Sequence, residues 1–322
     1  MLRFPTSIEI DITGKCNYNC LYCRNGKMQQ CDDMDYAVIS ALIEECKRYR
    51  VFNISISGGE PTLHNKFYDI ITALGESGIE WSLTTNGSNI DDDMAIILYN
   101  NHIKSVFITL AGFSEETECY LKGNKMCHCQ TIKAIETCKK YNIPVLLGYL
   151  LSPENISDVD AFLVFCKKNG IPGKLMRVEM QGNAASNPGL QVTDIVFEGV
   201  LKKFKSTLKE NAILGEKSIP FENRFCPAGI LSCVVGYDYN VYPCVSFLGD
   251  SKTKCGSIKT KTLYEIWNTS EILKEFRMPR IYSSKCALCN KKSICNGGCR
   301  AEAYKETGSY KLIENKCSHV SF

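Results

Sequence analysis

"SIEIDITGKCNYNCLYC", residues 7–23, runs an alternating segment directly into three closely spaced cysteines. Successive side chains of a strand point to opposite faces, so Ile8, Ile10 and Ile12 share one face and Glu9, Asp11 and Thr13 the other. A strand of a doubly wound sheet is covered on both sides and reads as apolar throughout. One polar face predicts instead a partly closed barrel around a hydrated lumen. "NISIS" (53–57) repeats the pattern, with Asn53, Ser55 and Ser57 as its polar face. The competing reading is that these polar groups bond to neighbouring backbone near strand ends.

Working outward, "WSLTT" (81–85), "KSVFITL" (104–110), "PVLLGYLL" (144–151) and "KLMRVEM" (174–180) read as further strands. Helical candidates lie between them at Tyr36 to Tyr49, Phe67 to Glu76, Asp91 to Tyr99, Thr131 to Lys140 and Val159 to Lys168. Six strand-helix units in succession predict an α/β fold, a parallel sheet with right-handed crossovers curved into a partial (β/α)6 barrel. The pattern changes after about residue 210, so we expect a barrel domain over 1–210 and a small cysteine-rich domain over 211–322.

Composition bounds the function. Nineteen cysteines in 322 residues, without a basic segment and apolar run at the start, point to metal or redox chemistry in a reducing, cytoplasmic setting. The charge is only +3, from 38 basic and 35 acidic side chains, with no basic block interleaved with aromatics, which argues against nucleic acid. No stretch resembles a membrane span.

Function in (β/α) architectures sits at the carboxyl ends of strands. The first strand runs into Cys16, Cys20 and Cys23, the second into Gly58-Gly59-Glu60-Pro61 and the third into Thr85-Asn86-Gly87. Three thiolates from one loop can hold three irons of a [4Fe-4S] cube and leave the fourth iron open, or they can serve zinc with another donor such as Cys31. Glycines after the second strand remove the β-carbons that would obstruct a ligand, and Glu60 can accept hydrogen bonds from an ammonium.

With these three exits in order, the chain resembles the radical S-adenosylmethionine (SAM) enzymes: "CNYNCLYC" matches their C-x3-C-x-Φ-C loop, "SGGEP" their SAM-ammonium motif, and "TTNG" a frequent third-strand ending. The resemblance spans about the first 210 residues. It implies that Cys16, Cys20 and Cys23 ligate a [4Fe-4S] cluster whose open iron chelates SAM. It further implies that Tyr22 packs near the adenine, that Gly58, Gly59 and Glu60 hold the methionyl ammonium, and that Asn86 and Thr109 add contacts. Reductive cleavage of SAM would give a 5′-deoxyadenosyl radical, with electrons from a flavodoxin- or ferredoxin-type donor.

After residue 225, "CALCNKKSICNGGC" (286–299) reads C-x2-C-x5-C-x3-C, a spacing that also fits a zinc ribbon or knuckle. With Cys226 before it, "YNVYPC" ending at Cys244, and Cys317 after it, the run resembles the SPASM extension of radical SAM enzymes. Tyr239 stands where that pattern has glycine. The resemblance implies a first auxiliary [4Fe-4S] cluster on Cys226, Cys244 and Cys299, which Cys233 could complete, and a second on Cys286, Cys289, Cys295 and Cys317. With the SAM cluster, that makes three.

SPASM-bearing relatives mostly modify peptides, so the expected reaction is oxidative crosslinking, thioether or carbon–carbon, of a ribosomally made peptide. The barrel motif begins at residue 16, so the peptide is expected to dock in the barrel or to be presented by a separate leader-binding protein. The alternative is a redox-neutral epimerase acting on a peptide or aminoglycoside, with Cys255 or Cys129 as hydrogen donor. A sulfatase maturase is disfavoured because Val245 follows Cys244 where that branch has aspartate. A noncatalytic zinc-binding scaffold would make "GGEP" and "TTNG" coincidences.

Overall fold

A computed structural model describes residues 2–26, 32–214, 226–281, 286, 289 and 297–312. The six expected strands form: β1 (Ser7–Asp11), β2 (Asn53–Ser57), β3 (Glu80–Thr85), β4 (Ser105–Leu110), β5 (Val145–Leu151) and β6 (Gly173–Arg177), each parallel to the next. The helices between them are α1 (Tyr36–Arg48), α2 (Phe67–Ser77), α3 (Asp92–Asn100), α4 (Glu115–Lys122), α5 (Cys127–Lys140) and α6 (Val159–Asn169). Sequence reading omits α4, whose "EETECYLK" is too polar to show an apolar stripe. It nonetheless has firm ends: Ser114 accepts from the Thr117 amide at its start, and Gly123 closes it at φ 63°.

The sheet does not stop at the expected boundary. After α7 (Asp194–Leu208), β7 (Ala212–Leu214) adds in parallel to β6. At the other edge, β8 (Ser232–Val235) pairs in parallel with β1, and β9 (Asn240–Tyr242) and β10 (Gly256–Ser257) follow antiparallel. The order across the ten strands is β10-β9-β8-β1-β2-β3-β4-β5-β6-β7, an open sheet. Strands from both sides of residue 210 thus share one sheet.

The register aligns the polar faces. Asp11 lies beside Ser57, Glu9 beside Ser55, Ser55 beside Ser82, and Ser82 beside Ser105. The opposite faces carry Ile8, Ile10, Ile54, Ile56, Leu83, Val106 and Ile108, all buried against the helices in one continuous core. The sheet therefore has an apolar helix-covered side and a polar inner side.

The tail continues with α8 (Leu263–Thr269), α9 (Glu271–Arg277) and α10 (Arg300–Thr307). It builds a small core on Tyr242, Phe247 and Phe276. Buried arginines supplement it: Arg300 donates to the carbonyls of Tyr310, Phe276 and Met278, and Arg280 to those of Gly298 and Leu312. Among the described residues, no helix is long and apolar enough to cross a membrane.

Candidate functional site

The loop after β1 is held by its neighbours' backbones. The Gly59 amide donates to the Thr13 carbonyl (2.8 Å) and the Glu60 amide to that of Lys15 (2.7 Å). A β-carbon at Gly58 would strike the Thr13 carbonyl oxygen, and one at Gly59 that of Lys15. Gly58 also sits at φ 145°. The glycine pair thus admits the cysteine loop itself, a close approach of backbone to backbone in addition to any room it leaves for a ligand.

Glu60 is fully buried and joins two strand exits. One carboxylate oxygen accepts from the Thr62 hydroxyl (2.6 Å), the Thr85 hydroxyl (2.8 Å) and the Thr62 amide (3.2 Å), and the other from the Asn86 amide (2.7 Å). Burial raises its carboxyl above the usual range, against these hydrogen bonds. Asn86 in turn donates to Asn17 of the cysteine loop at 2.8 Å. All three strand exits are wired together.

Burial raises the Cys16 thiol and pushes Cys20 up to about 12, with Lys122 and Tyr22 pulling Cys20 the other way. Buried thiols of this kind ionise only on meeting a metal. Among the described residues no three Cys, His, Asp or Glu side chains converge on a single-ion site. Cys16, Cys20 and Cys23, spread along one loop, suit the separate corners of an iron-sulfur cube. Tyr22 packs with Ala111, Leu121, Val178 and Leu190 as an apolar wall beside this loop, and Thr109 lies half-buried on the polar face of β4.

In the tail, Cys226, Cys244 and Cys299 gather around the Tyr242, Phe247 and Phe276 core. Burial, and then the nearness of Cys226 and Cys299, raises the Cys244 thiol well above its ordinary value. Cys286 and Cys289 lie one turn apart, with the Cys289 amide donating to the Cys286 carbonyl at 3.2 Å. Cys295 and Cys317, like Cys31, fall outside the described residues. Tyr239 adopts φ 63°, the left-handed turn for which the pattern has glycine, so the geometry survives the departure.

Residues 10–166 match the radical SAM superfamily, and residues 226–291 match an iron-sulfur cluster-binding domain, SPASM. The chain is a radical SAM protein with a SPASM domain. It is 23% identical to the AdoMet-dependent heme synthase of Methanosarcina barkeri, over 98% of this chain and 97% of the relative. It is also 23% identical to the mycofactocin maturase MftC of Mycolicibacterium smegmatis, over 94% and 80%. Its fold is that of Streptococcus suis SuiB, solved with the precursor peptide SuiA: TM-score 0.81 at 18% identity, covering 98% of this chain and 76% of SuiB.

The radical SAM framework settles the remaining cysteines by face. Cys233 lies beside Ile8 in the β1–β8 register, so it points outward with the isoleucines into the main core, where it is 1% exposed near Cys255, Cys46 and Arg277. It is not brought together with Cys226, Cys244 and Cys299, which corrects its expected place as their fourth partner. Cys255 is buried in the same outer core and pushed up to about 12 by burial, away from the polar side where a hydrogen donor would act. Cys129 is exposed in the first turn of α5, its thiol turned back to the Met126 carbonyl (3.3 Å).

Sequence reading missed two groups. Glu118 and Lys122 form a buried ion pair at 2.6 Å beside Cys20, and Glu118 also accepts from the Ala111 and Gly112 amides at the β4 exit. Their i,i+4 spacing was the available signal. The second group is the segment after β6. Ser246, two residues beyond Cys244, donates to both oxygens of Glu179 (3.1 and 3.3 Å), and Gln181 donates to the Ser246 carbonyl (2.6 Å). On its other side the Asn183 amide donates to the Cys23 carbonyl (2.8 Å), and its side chain to that of Cys20 (2.9 Å).

Proposed function

We propose that this radical SAM protein is an oxidoreductase that crosslinks a ribosomally made peptide, with three [4Fe-4S] clusters. Cys16, Cys20 and Cys23 would hold the SAM cluster. Cys226, Cys244 and Cys299 would hold the first auxiliary cluster, and Cys286, Cys289, Cys295 and Cys317 the second. When bound, the SAM cluster and S-adenosylmethionine supply a carbon-centred radical that removes a hydrogen atom from an unactivated C–H bond.

The observation that carries this reading is the bridge formed by residues 179–183. It clasps the Cys20–Cys23 loop on one side and the Cys244 loop on the other, so one short segment ties the two thiol groups together. A substrate there lies between a site of hydrogen removal and a site able to take an electron. The chain's own part is to hold these loops in register, to wall the lumen with Tyr22 and Thr109, and to keep water from the reacting carbon. One Glu60 carboxylate oxygen accepts from the Asn86 amide and has capacity left for a SAM ammonium.

Similarity to a mycofactocin maturase, and a fold shared with a protein solved on its precursor peptide, support a peptide substrate. The heme synthases are as similar in sequence, which makes a non-peptide substrate the second reading. Epimerisation through Cys255 loses support because that thiol faces the outer core, which leaves exposed Cys129 as its candidate donor. Co-expression with short peptides encoded beside the gene tests the proposal: the expected product has lost two hydrogens. Gain of a deuteron in deuterated water without that loss, or an unchanged peptide while SAM is still cleaved, would overturn it.

A further inference from the structure

Two thiols outside the proposed clusters are already in contact. The Cys127 thiol, at the start of α5, donates to the Cys119 sulfur of α4 at 3.6 Å, and the Cys119 thiol donates to the Lys125 carbonyl at 3.3 Å. Cys127 is fully buried and Cys119 half-buried, so reagents reach the pair through Cys119. Burial, and then the Glu118 carboxylate, raises the Cys127 thiol well above its ordinary value, which leaves Cys119 to react first. Among the described residues no third Cys, His, Asp or Glu joins the pair as a metal site. The turn between the two thiols supports the cysteine loop. Its Leu121 carbonyl accepts from the Leu21 amide (2.9 Å), and a β-carbon at Gly123 would meet the Asn19 carbonyl oxygen. Just beyond the turn, Gln130 of α5 accepts from the Tyr18 hydroxyl (2.7 Å).

We propose that Cys119 and Cys127 are a modification site, a dithiol that small-molecule disulfides oxidise to a disulfide, and that this bond clamps the α4–α5 turn beneath the cysteine loop. The Cys119 thiolate attacks one sulfur of the incoming disulfide, forms a mixed disulfide and expels the first small thiolate. Cys127 then attacks the Cys119 sulfur, its proton passing to the second departing thiolate. Two cysteine thiols are oxidised to one disulfide, and the small disulfide is reduced to two thiols. Bonded sulfurs lie about 2 Å apart, so rotation of two touching side chains closes the gap and the Leu21–Leu121 hydrogen bond is kept. A covalent ring across the helices removes the local openings that part α4 from α5. The loop bearing Cys16, Cys20 and Cys23 is thereby held more firmly under oxidising conditions, and nothing in this step depends on a peptide substrate.

The test treats the reconstituted holoenzyme, without oxygen, with oxidised glutathione, then alkylates the remaining thiols and maps the cysteines by mass spectrometry. Expected is a peptide pair joined through Cys119 and Cys127, lighter by two hydrogens and separated again by dithiothreitol. Cys127→Ser should instead retain glutathione on Cys119, and Cys119→Ser should leave Cys127 reduced. Should Cys127→Ser fail to fold, Cys119→Ser and the wild-type map still decide. Hydrogen exchange in the peptide containing the Leu21 amide should slow at least about 3-fold on oxidation of the wild type, and not in Cys119→Ser. Both thiols recovered alkylated after oxidation, or Cys119 joined to exposed Cys129 instead, would overturn the site. Exchange at Leu21 that is the same in the oxidised and reduced forms would overturn the clamp.

Discussion

Cys20 and Cys233 are the same residue type in adjoining parts of one sheet, yet the fold places them in opposite settings. Cys20 leaves the end of β1 on a loop whose backbone is clasped by Asn183 and Leu121. Cys233 lies within β8, beside Ile8, and points into the helix-covered core. Side-chain direction on a strand, and exit at its carboxyl end, decide whether a thiol meets metal or hydrocarbon. A cysteine count alone cannot make this distinction.

The largest effect that would sharpen the contrast is Cys20→Ala. It should reduce 5′-deoxyadenosine formation to background, whereas Cys233→Ala should keep it and lose only about 1 kcal/mol of stability. Comparable loss of cleavage in both, measured by product chromatography on reconstituted protein, would erase the distinction.

Gly59→Ala should be nearly as damaging as Cys20→Ala, because its β-carbon meets the Lys15 carbonyl rather than a movable side chain. Expected are weak cluster incorporation and a large fall in melting temperature. Normal iron loading would show that the loop can retreat.

Glu118→Gln leaves the Lys122 ammonium buried without its partner, at a cost of about 3–5 kcal/mol in denaturant unfolding. A change under about 1 kcal/mol would mean that water or another acid replaces Glu118.

The smallest effect is on Asp11. Burial pushes its carboxyl up to about 7, with Arg24 opposing. A folded-state value above the unfolded one means that the folded state binds the extra proton, so stability falls as pH rises from about 4 to 7 and then stays level. The cost is at most about 4 kcal/mol. Asp11→Asn should therefore raise the melting temperature at pH 8, with the gain shrinking as pH falls toward 5.5. A gain independent of pH would assign the effect to packing instead.

Much of this was legible beforehand. Alternation in residues 7–13 and 53–57 showed a polar inner face, and the three strand exits pointed to the site proposed here. What escaped were matters of direction and approach. Seven-residue spacing from Cys226 made Cys233 a plausible ligand, but spacing carries no information about which sheet face a later strand presents once it pairs with β1. Small residues at 58–59 announced a close approach without saying that the visitor was backbone. Glu118 and Lys122 went unread because nothing local reveals that α4 packs beneath the cysteine loop.

The central claim is that the cysteine loop and the tail each hold iron-sulfur clusters, and that Cys233 belongs to neither. It is tested most directly by counting iron, acid-labile sulfide and zinc per chain in anaerobically reconstituted wild-type and Cys233→Ala protein. The account predicts about twelve irons, matching sulfide and almost no zinc in both. About four irons with zinc would make the tail a structural zinc domain, and a loss of about four irons confined to Cys233→Ala would return that cysteine to the metal.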